Sequence, residues 1–358
     1  MKRAYILLLL VLLAGCAEKQ YAEESGDGQA EDVQQPPAEG IEPEATVQEK
    51  VTETPAEPPA PLSLTEENNK TKEHEKPALP SDKYLSWQKE EGTRVWGGIS
   101  SCTILQDGKY LMYYTREGGI WLASSPEGIS FEEKGIVFTP GENQPMASNP
   151  SVFKLQEKGY RMIYESNEDM GTVRKLRSAV SEDGFAWTGE EGIRLEDSIY
   201  FEDKKKGASG EVIFASVPDV IRLDSGCLRI YYAAIDEIRF AESCDEGLNW
   251  NKKGKVKFDI RPEIAQDPDT IRLGDGTYKL FFSVQNSDRT AGWIESASSE
   301  DGINFKLDAG KRIEPTHGEK HAMDIDVIKL PDGTYRAYYS EGTLPNPKPN
   351  ILSAISRE

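Results

Sequence analysis

The sequence predicts an all-β protein, a five-bladed β-propeller with four antiparallel strands per blade, closed by an N-terminal strand that completes the last blade. Three observations predict it. A unit of about 50 residues recurs along 84–358. Within each unit apolar and polar residues alternate with the period of a strand, and no stretch carries the period of an amphipathic helix. Turn residues punctuate every copy at matching places. Short four-stranded sheets repeated around an axis form a propeller, and strand exchange at the seam removes open edges.

Each element has its own signature. The innermost strands carry Thr103-Ile104-Leu105, Val220-Ile221-Arg222-Leu223, Thr270-Ile271-Arg272-Leu273 and Val327-Ile328-Lys329-Leu330. A tight turn follows, with Asp107-Gly108, Asp275-Gly276 and Asp332-Gly333 supplying the positive φ that such turns need. The second strands are rich in tyrosine, at 110–114, 160–164, 228–232, 278–282 and 335–339. Third strands run into Ser125-Pro126-Glu127-Gly128, Ser181-Glu182-Asp183-Gly184, Ser243-Cys244-Asp245-Glu246-Gly247 and Ser299-Glu300-Asp301-Gly302. Phe131, Trp187, Trp250 and Phe305 then open the fourth strands. The last copy stops before its fourth strand. The missing piece stands at the other end, where Trp87 to Val95 parallels Trp187 to Leu195 through a shared Glu-Glu-Gly-x-Arg.

The first 83 residues read differently. Lys2-Arg3 and the apolar run 4–13 form a signal peptide over 1–15, too short to span a bilayer as a mature helix. Leu13-Ala14-Gly15-Cys16 resembles a bacterial lipobox, which implies cleavage before Cys16, acylation of that cysteine and stable membrane anchoring. Residues 16–83 are the lipidated cysteine and a tether; 17–83 carry 17 acids, 6 bases and nine prolines, a composition that cannot bury enough apolar surface to fold. The expected location is the exported side of the cell envelope, on the outer membrane in a Gram-negative host. Over the whole chain 62 Asp+Glu outweigh 42 Lys+Arg, for a net charge of −20, which excludes nucleic-acid binding through a basic face.

The repeating pattern over 84–358 resembles the five-bladed propeller glycoside hydrolases of the family 43 and family 32 group, and 243–250 resembles the Asp-box turn of sialidases. The resemblance implies a monomer that binds or cleaves an oligo- or polysaccharide without a cofactor. The sequence departs from the family where it matters. Family 43 enzymes place an Asp base in the first blade, an Asp in the second and a Glu acid in the third. Here the aligned positions read Ser101, Ser151 and Asp219, with Glu211 in the preceding loop.

The pocket is expected on the rim where innermost strands begin, because the connections there vary most, at 165–175, 188–215, 283–290 and 340–350. Aligning the copies puts Ser101, Ser151, Asp219, Asp269 and Asp326 in equivalent positions, with Ile99, Asn149, Val217, Asp267 and Asp324 two residues earlier. Asp219, Asp269 and Asp326 are the catalytic candidates, since crowded carboxylates push some pKa values up and inversion needs an acid beside a base. The alternative is that they accept hydrogen bonds from backbone N–H groups. Asp267, Asp324, Glu211, Asn149, Trp96 and His321 are the substrate-binding candidates; Trp293 and Tyr200 are further aromatics able to stack on sugars or pack between blades. His317 and His321 have a spacing that suits a metal but lie in a loop, and no metal is assigned; a cation such as calcium in the acidic channel is the alternative to an empty one. Cys227 and Cys244 flank antiparallel strands and are paired as a disulfide, which leaves Cys102 a lone buried thiol.

Overall fold

The structure, a computed structural model, describes residues 86–357 apart from 142–145, 169–172, 204–207, 263 and 344–348. The signal, lipidation and tether expectations for residues 1–83 lie outside the described residues. The described residues form strands and connections, with no helix.

The chain enters through β1 (Ser86–Lys89) and then runs through antiparallel meanders. These comprise β2 (Ile99–Gln106), β3 (Lys109–Arg116), β4 (Gly119–Ser125) and β5 (Glu132–Phe138), then β6 (Met146–Lys154), β7 (Tyr160–Asn167), β8 (Arg174–Ser181) and β9 (Thr188–Gly189). A hairpin, β10 (Ser198–Asp203) with β11 (Ala208–Ile213), precedes β12 (Ser216–Arg222), β13 (Leu228–Ala234), β14 (Glu237–Ser243) and β15 (Asn251–Lys255). After the short β16 (Lys257–Phe258) come β17 (Ala265–Arg272), β18 (Tyr278–Gln285), β19 (Gly292–Ser299) and β20 (Asn304–Leu307). The chain ends with β21 (His321–Lys329), β22 (Tyr335–Gly342) and β23 (Asn350–Arg357). β1 pairs antiparallel with β23, Trp87 opposite Ser356, so the N-terminal strand supplies the fourth strand of the last meander. The inner strands lie against one another in chain order, β2 on β6, β6 on β12, β12 on β17 and β17 on β21, and β21 also lies against β2.

Three features differ from the sequence reading. The 188–215 connection contains the β10–β11 hairpin, which falls outside the repeat and so escaped a reading built on it. β16 runs parallel to β20, Phe258 beside Phe305, an exception to antiparallel pairing throughout. A single parallel bridge, Gly292 with His321, joins the last two meanders into one sheet.

The repeated motifs work between meanders. Tyr113, Tyr231 and Tyr338, all fully buried, donate their hydroxyls at 2.7–2.8 Å to the carbonyls of Gly184, Gly302 and Gly128, each in the next meander's serine-led turn. Trp187, Phe305 and Phe131, just after those turns, pack edge-on against the same tyrosines. Glycine is required there. At Gly302 φ is +68°, and a Cβ would stand 2.6 Å from Arg229 Nη1 and 2.7 Å from Tyr231 Oη. Inside the turns Ser125, Ser181, Ser243 and Ser299 accept the glycine N–H at 2.8–2.9 Å, which fixes their shape. A second repeat lies at the outer edges. Arg161 pairs with Glu190, Lys279 with Asp308 and Arg336 with Glu90, and Ser178, Ser296 and Ser353 donate to the same carboxylates at 2.6 Å. Cys227 and Cys244 form a disulfide between the start of β13 and the end of β14, with Cα atoms 4.3 Å apart.

Candidate functional site

The site is built by a bulge repeated in every inner strand. Register shifts fall between Ile99 and Cys102, Ser148 and Ser151, Ser216 and Asp219, Gln266 and Asp269, and Met323 and Asp326. At each bulge one residue takes a left-handed backbone: Ser100, Asn149, Val217, Asp267 and Asp324, with φ between 43° and 50°. These five therefore form one tier of equivalent positions, and Cys102, Ser151, Asp219, Asp269 and Asp326 form a second, one step along each strand. This corrects the sequence alignment in the first copy, where Ser100 and Cys102 replace Ile99 and Ser101. The slip has a simple cause: Ser101 matches Ser151 in chemistry, whereas the register puts a thiol in that place.

The second tier links neighbouring strands. Val152 N–H donates to Cys102 Sγ at 3.2 Å, Val220 N–H to Ser151 Oγ at 3.1 Å, Thr270 N–H to Asp219 Oδ2 at 2.8 Å and Val327 N–H to Asp269 Oδ2 at 3.1 Å. Asp326 faces the N–H and hydroxyl of Thr103, so the series returns to the strand on which it began. Both tiers border a cavity of about 40 Å³ between the starts of the inner strands. That volume holds a few waters and lies far below the roughly 300 Å³ at which ligand pockets begin. A sugar ring does not enter it; a glycan would lie across its mouth.

Burial dominates the electrostatics. It raises Asp219 and Asp326 to about 7, with the N–H and hydroxyl groups of Thr270 and Thr103 opposing the shift. Burial and then the charges of Asp219 and Asp326 lift Asp269 well above the ordinary carboxylate range. In the first tier burial and then Asp267 raise Asp324 to about 8, and burial raises Asp267 itself. Burial also pushes the Cys102 thiol up. Asp326 Oδ2 has no hydrogen-bond partner although the residue is only 5% exposed.

Two residues the sequence reading missed complete the rim. Glu165, on β7, is buried and accepts from Asn149 Nδ2 at 2.8 Å, from Ser216 Oγ and from Ser148 Oγ, and it pairs with Arg174 Nη1 at 3.2 Å. Arg174, on β8, is equally buried, its guanidinium 5.0 Å from the Phe214 ring. A signal existed. Register makes Thr115, Glu165, Ala233, Ser283 and Ser340 equivalent, each opposite the residue that opens a bulge, and Glu165 is the one charged member. Thr115, Ser283 and Ser340 accept the backbone N–H of Asn149, Asp324 and Ser100.

The remaining candidates are dispersed. Trp96 is exposed just before β2, with its carbonyl accepting from Arg116. Glu211 is exposed on β11 opposite Tyr200, where Ser198 donates to it. His321 is buried, with Nε2 3.3 Å from the Arg289 carbonyl, and burial lowers its pKa. Trp293 Nε1 donates to Glu295 and its ring lies under Lys311. Among the described residues no group of three His, Cys, Asp or Glu side chains is arranged to hold a metal ion.

Comparison with known proteins gives the fold its class. No family model matches the sequence. No curated protein matches it either. Solved structures do. A thermostable family-43 glycoside hydrolase superposes with a TM-score of 0.60 at 16% identity, over 75% of this chain and 91% of that one. An endo-arabinase from Bacteroides thetaiotaomicron gives 0.54 at 12%, over 75% and 98%. A structure described under the GH130 family of mannoside phosphorylases gives 0.55 at 15%, over 78% and 95%. The fold is that of the glycoside-hydrolase propellers.

Proposed function

We propose that residues 84–358 form a closed propeller of five blades that engages oligo- or polysaccharides at the rim where the inner strands begin. A lipid on Cys16 and the acidic tether would hold this domain at the outer side of a membrane, as a monomer. The observation that carries the reading is the convergence of Ser100, Asn149, Asp267 and Asp324 on one rim, in a fold shared with glycoside hydrolases. Short polar side chains beside an exposed tryptophan, Trp96, are the groups that bind sugar hydroxyls and stack on sugar rings. Recognition without turnover is the better supported form, because Asp219 and Asp269 each commit an oxygen to a backbone N–H and the cavity they border excludes a sugar ring. A glycan array probed with the secreted chain tests it. Binding of at least one glycan family, weakened by Asp324→Asn and by Trp96→Ala, is expected; no binding across the array sinks the reading.

Hydrolysis by Asp219, Asp269 and Asp326 is the second reading. It is favoured by carboxyl groups whose pKa values near 7 would keep an acid protonated at neutral pH. Turnover of chromogenic arabinosides, xylosides, fructosides or sialosides, abolished by Asn at any of the three positions, would establish it.

A further inference from the structure

We propose that the rim selects uncharged, hydroxyl-rich glycans and turns away acidic ones, inorganic phosphate included. This rests on the glycan-engaging reading above and names the ligand class for the same site.

The rim presents acceptors. Asp267 and Asp324 occupy two of its five left-handed positions. A third is Asn149, whose orientation is fixed by chemistry: an ionised Glu165 only accepts, so the group 2.8 Å away must be Nδ2, and Oδ1 is turned away from Glu165. Below them Asp326 Oδ2, 95% buried, borders the same cavity without a partner, an acceptor in place for a donor. Donors on a ligand would satisfy these groups, and sugar hydroxyls are such donors.

The cations are already engaged. Arg174, the guanidinium beside the first tier, is buried against Glu165 and Phe214. On the surrounding loops and strand ends Arg116 pairs with Glu133, Arg239 with Asp197 and Glu237, and Arg289 with Asp236. Lys320, exposed beside buried His321, is the one basic residue at the rim whose partner is not among these acids. A carboxylate, sulfate or phosphate would thus approach Asp267, Asp324 and the three carboxyls beneath them without an unpaired guanidinium to clamp it. Like-charge juxtaposition of this kind costs several kcal/mol, a factor of at least about tenfold in affinity.

The experiment is calorimetric titration of the whole mature chain at pH 8.5, where these carboxyls ionise. Arabino-, xylo- and manno-oligosaccharides are compared with galacturono-oligosaccharides, sialyllactose and inorganic phosphate, in 20 mM and 500 mM salt. At least one neutral series is expected to bind, with affinity insensitive to salt. Acidic ligands should bind at least about tenfold more weakly and gain as salt screens the repulsion. Asp324→Asn, which keeps the shape and removes a charge, should narrow the gap. The salt series on the wild-type chain gives the same answer should that variant fail to fold. Acidic ligands binding as tightly as neutral ones overturns the selectivity and leaves glycan engagement standing. Binding of neither class overturns both.

Discussion

Asp326→Asn separates a structural carboxylate from a catalytic one. Asp326 is 5% exposed and its pKa stands at about 7 against an ordinary value of 3.8. A raised folded-state value means that the folded protein holds more protons than the unfolded chain between those limits. Its contribution to stability is therefore complete below pH 4 and is lost as pH rises through 7. About three pH units at 1.36 kcal/mol each set a ceiling of roughly 4 kcal/mol for this group alone. Asp219 and Asp269 act in the same direction, but the three share their repulsion, so the penalties do not add. Asn keeps one carbonyl oxygen for Thr103 N–H and removes the charge. The variant should match wild type to within about 1 kcal/mol at pH 5 and exceed it by about 1–3 kcal/mol at pH 8. Urea unfolding at half-unit intervals from pH 5 to 8 reads this directly. His321, whose lowered pKa works in the opposite sense below about 6.5, is common to both proteins and cancels in the difference. Asp245 and Asp301, held down at about 2, lose their contributions only in stronger acid. A variant equally destabilised at every pH, or a wild type that grows steadily more stable toward pH 8, refutes the reasoning.

Four further outcomes are expected. Gly302→Ala forces a Cβ into a left-handed residue and against Arg229 and Tyr231, and should cost about 2–4 kcal/mol by urea midpoint; a loss below 0.5 would disprove the turn's role as a latch. Val217 is β-branched at φ +43°, so Val217→Gly should stabilise the domain by up to about 1 kcal/mol in the same assay. Lys279→Met leaves Asp308, 2% exposed, without its counter-charge and should cost about 3–5 kcal/mol, whereas Lys279→Met with Asp308→Leu should recover most of it. Reducing the Cys227–Cys244 disulfide, across a separation of 17 residues, should lower stability by about 3 kcal/mol under matched urea titrations with and without reductant.

Sequence made the scaffold readable because its devices are local and repeated. A tyrosine and a serine-led glycine turn recur at fixed offsets, and the structure shows why: tyrosine in one meander seeks the glycine carbonyl of the next. The rim was less readable for two reasons. Its register depends on a bulge, and a bulge moves the pairing without leaving a mark in the residues, so chemical likeness drew Ser101 into the place that Cys102 holds. Glu165 and Arg174 lie on β7 and β8, outside the inner strands where functional residues were sought. Only the pairing register reveals that Glu165 stands where the other copies carry Thr, Ala and Ser.

The two tiers answer different demands, and that difference locates function. At the second tier a backbone N–H from the neighbouring strand must find an acceptor, and thiol, hydroxyl and carboxylate all serve. Interchangeable chemistry at equivalent positions means that the requirement is for an acceptor, not for an acid. At the first tier Ser100, Asn149, Val217, Asp267 and Asp324 share a backbone conformation but no hydrogen-bonding role, since Val217 has no polar side chain to offer. Packing alone would favour asparagine or glycine at all five, because those residues adopt φ near 50° at least cost. A strained valine and two crowded aspartates persist instead. The side chains at this tier are thus set by what lies across the mouth of the cavity, and mutational effects on ligand binding should concentrate at Asn149, Val217, Asp267 and Asp324, while effects on stability concentrate one step further along the same strands.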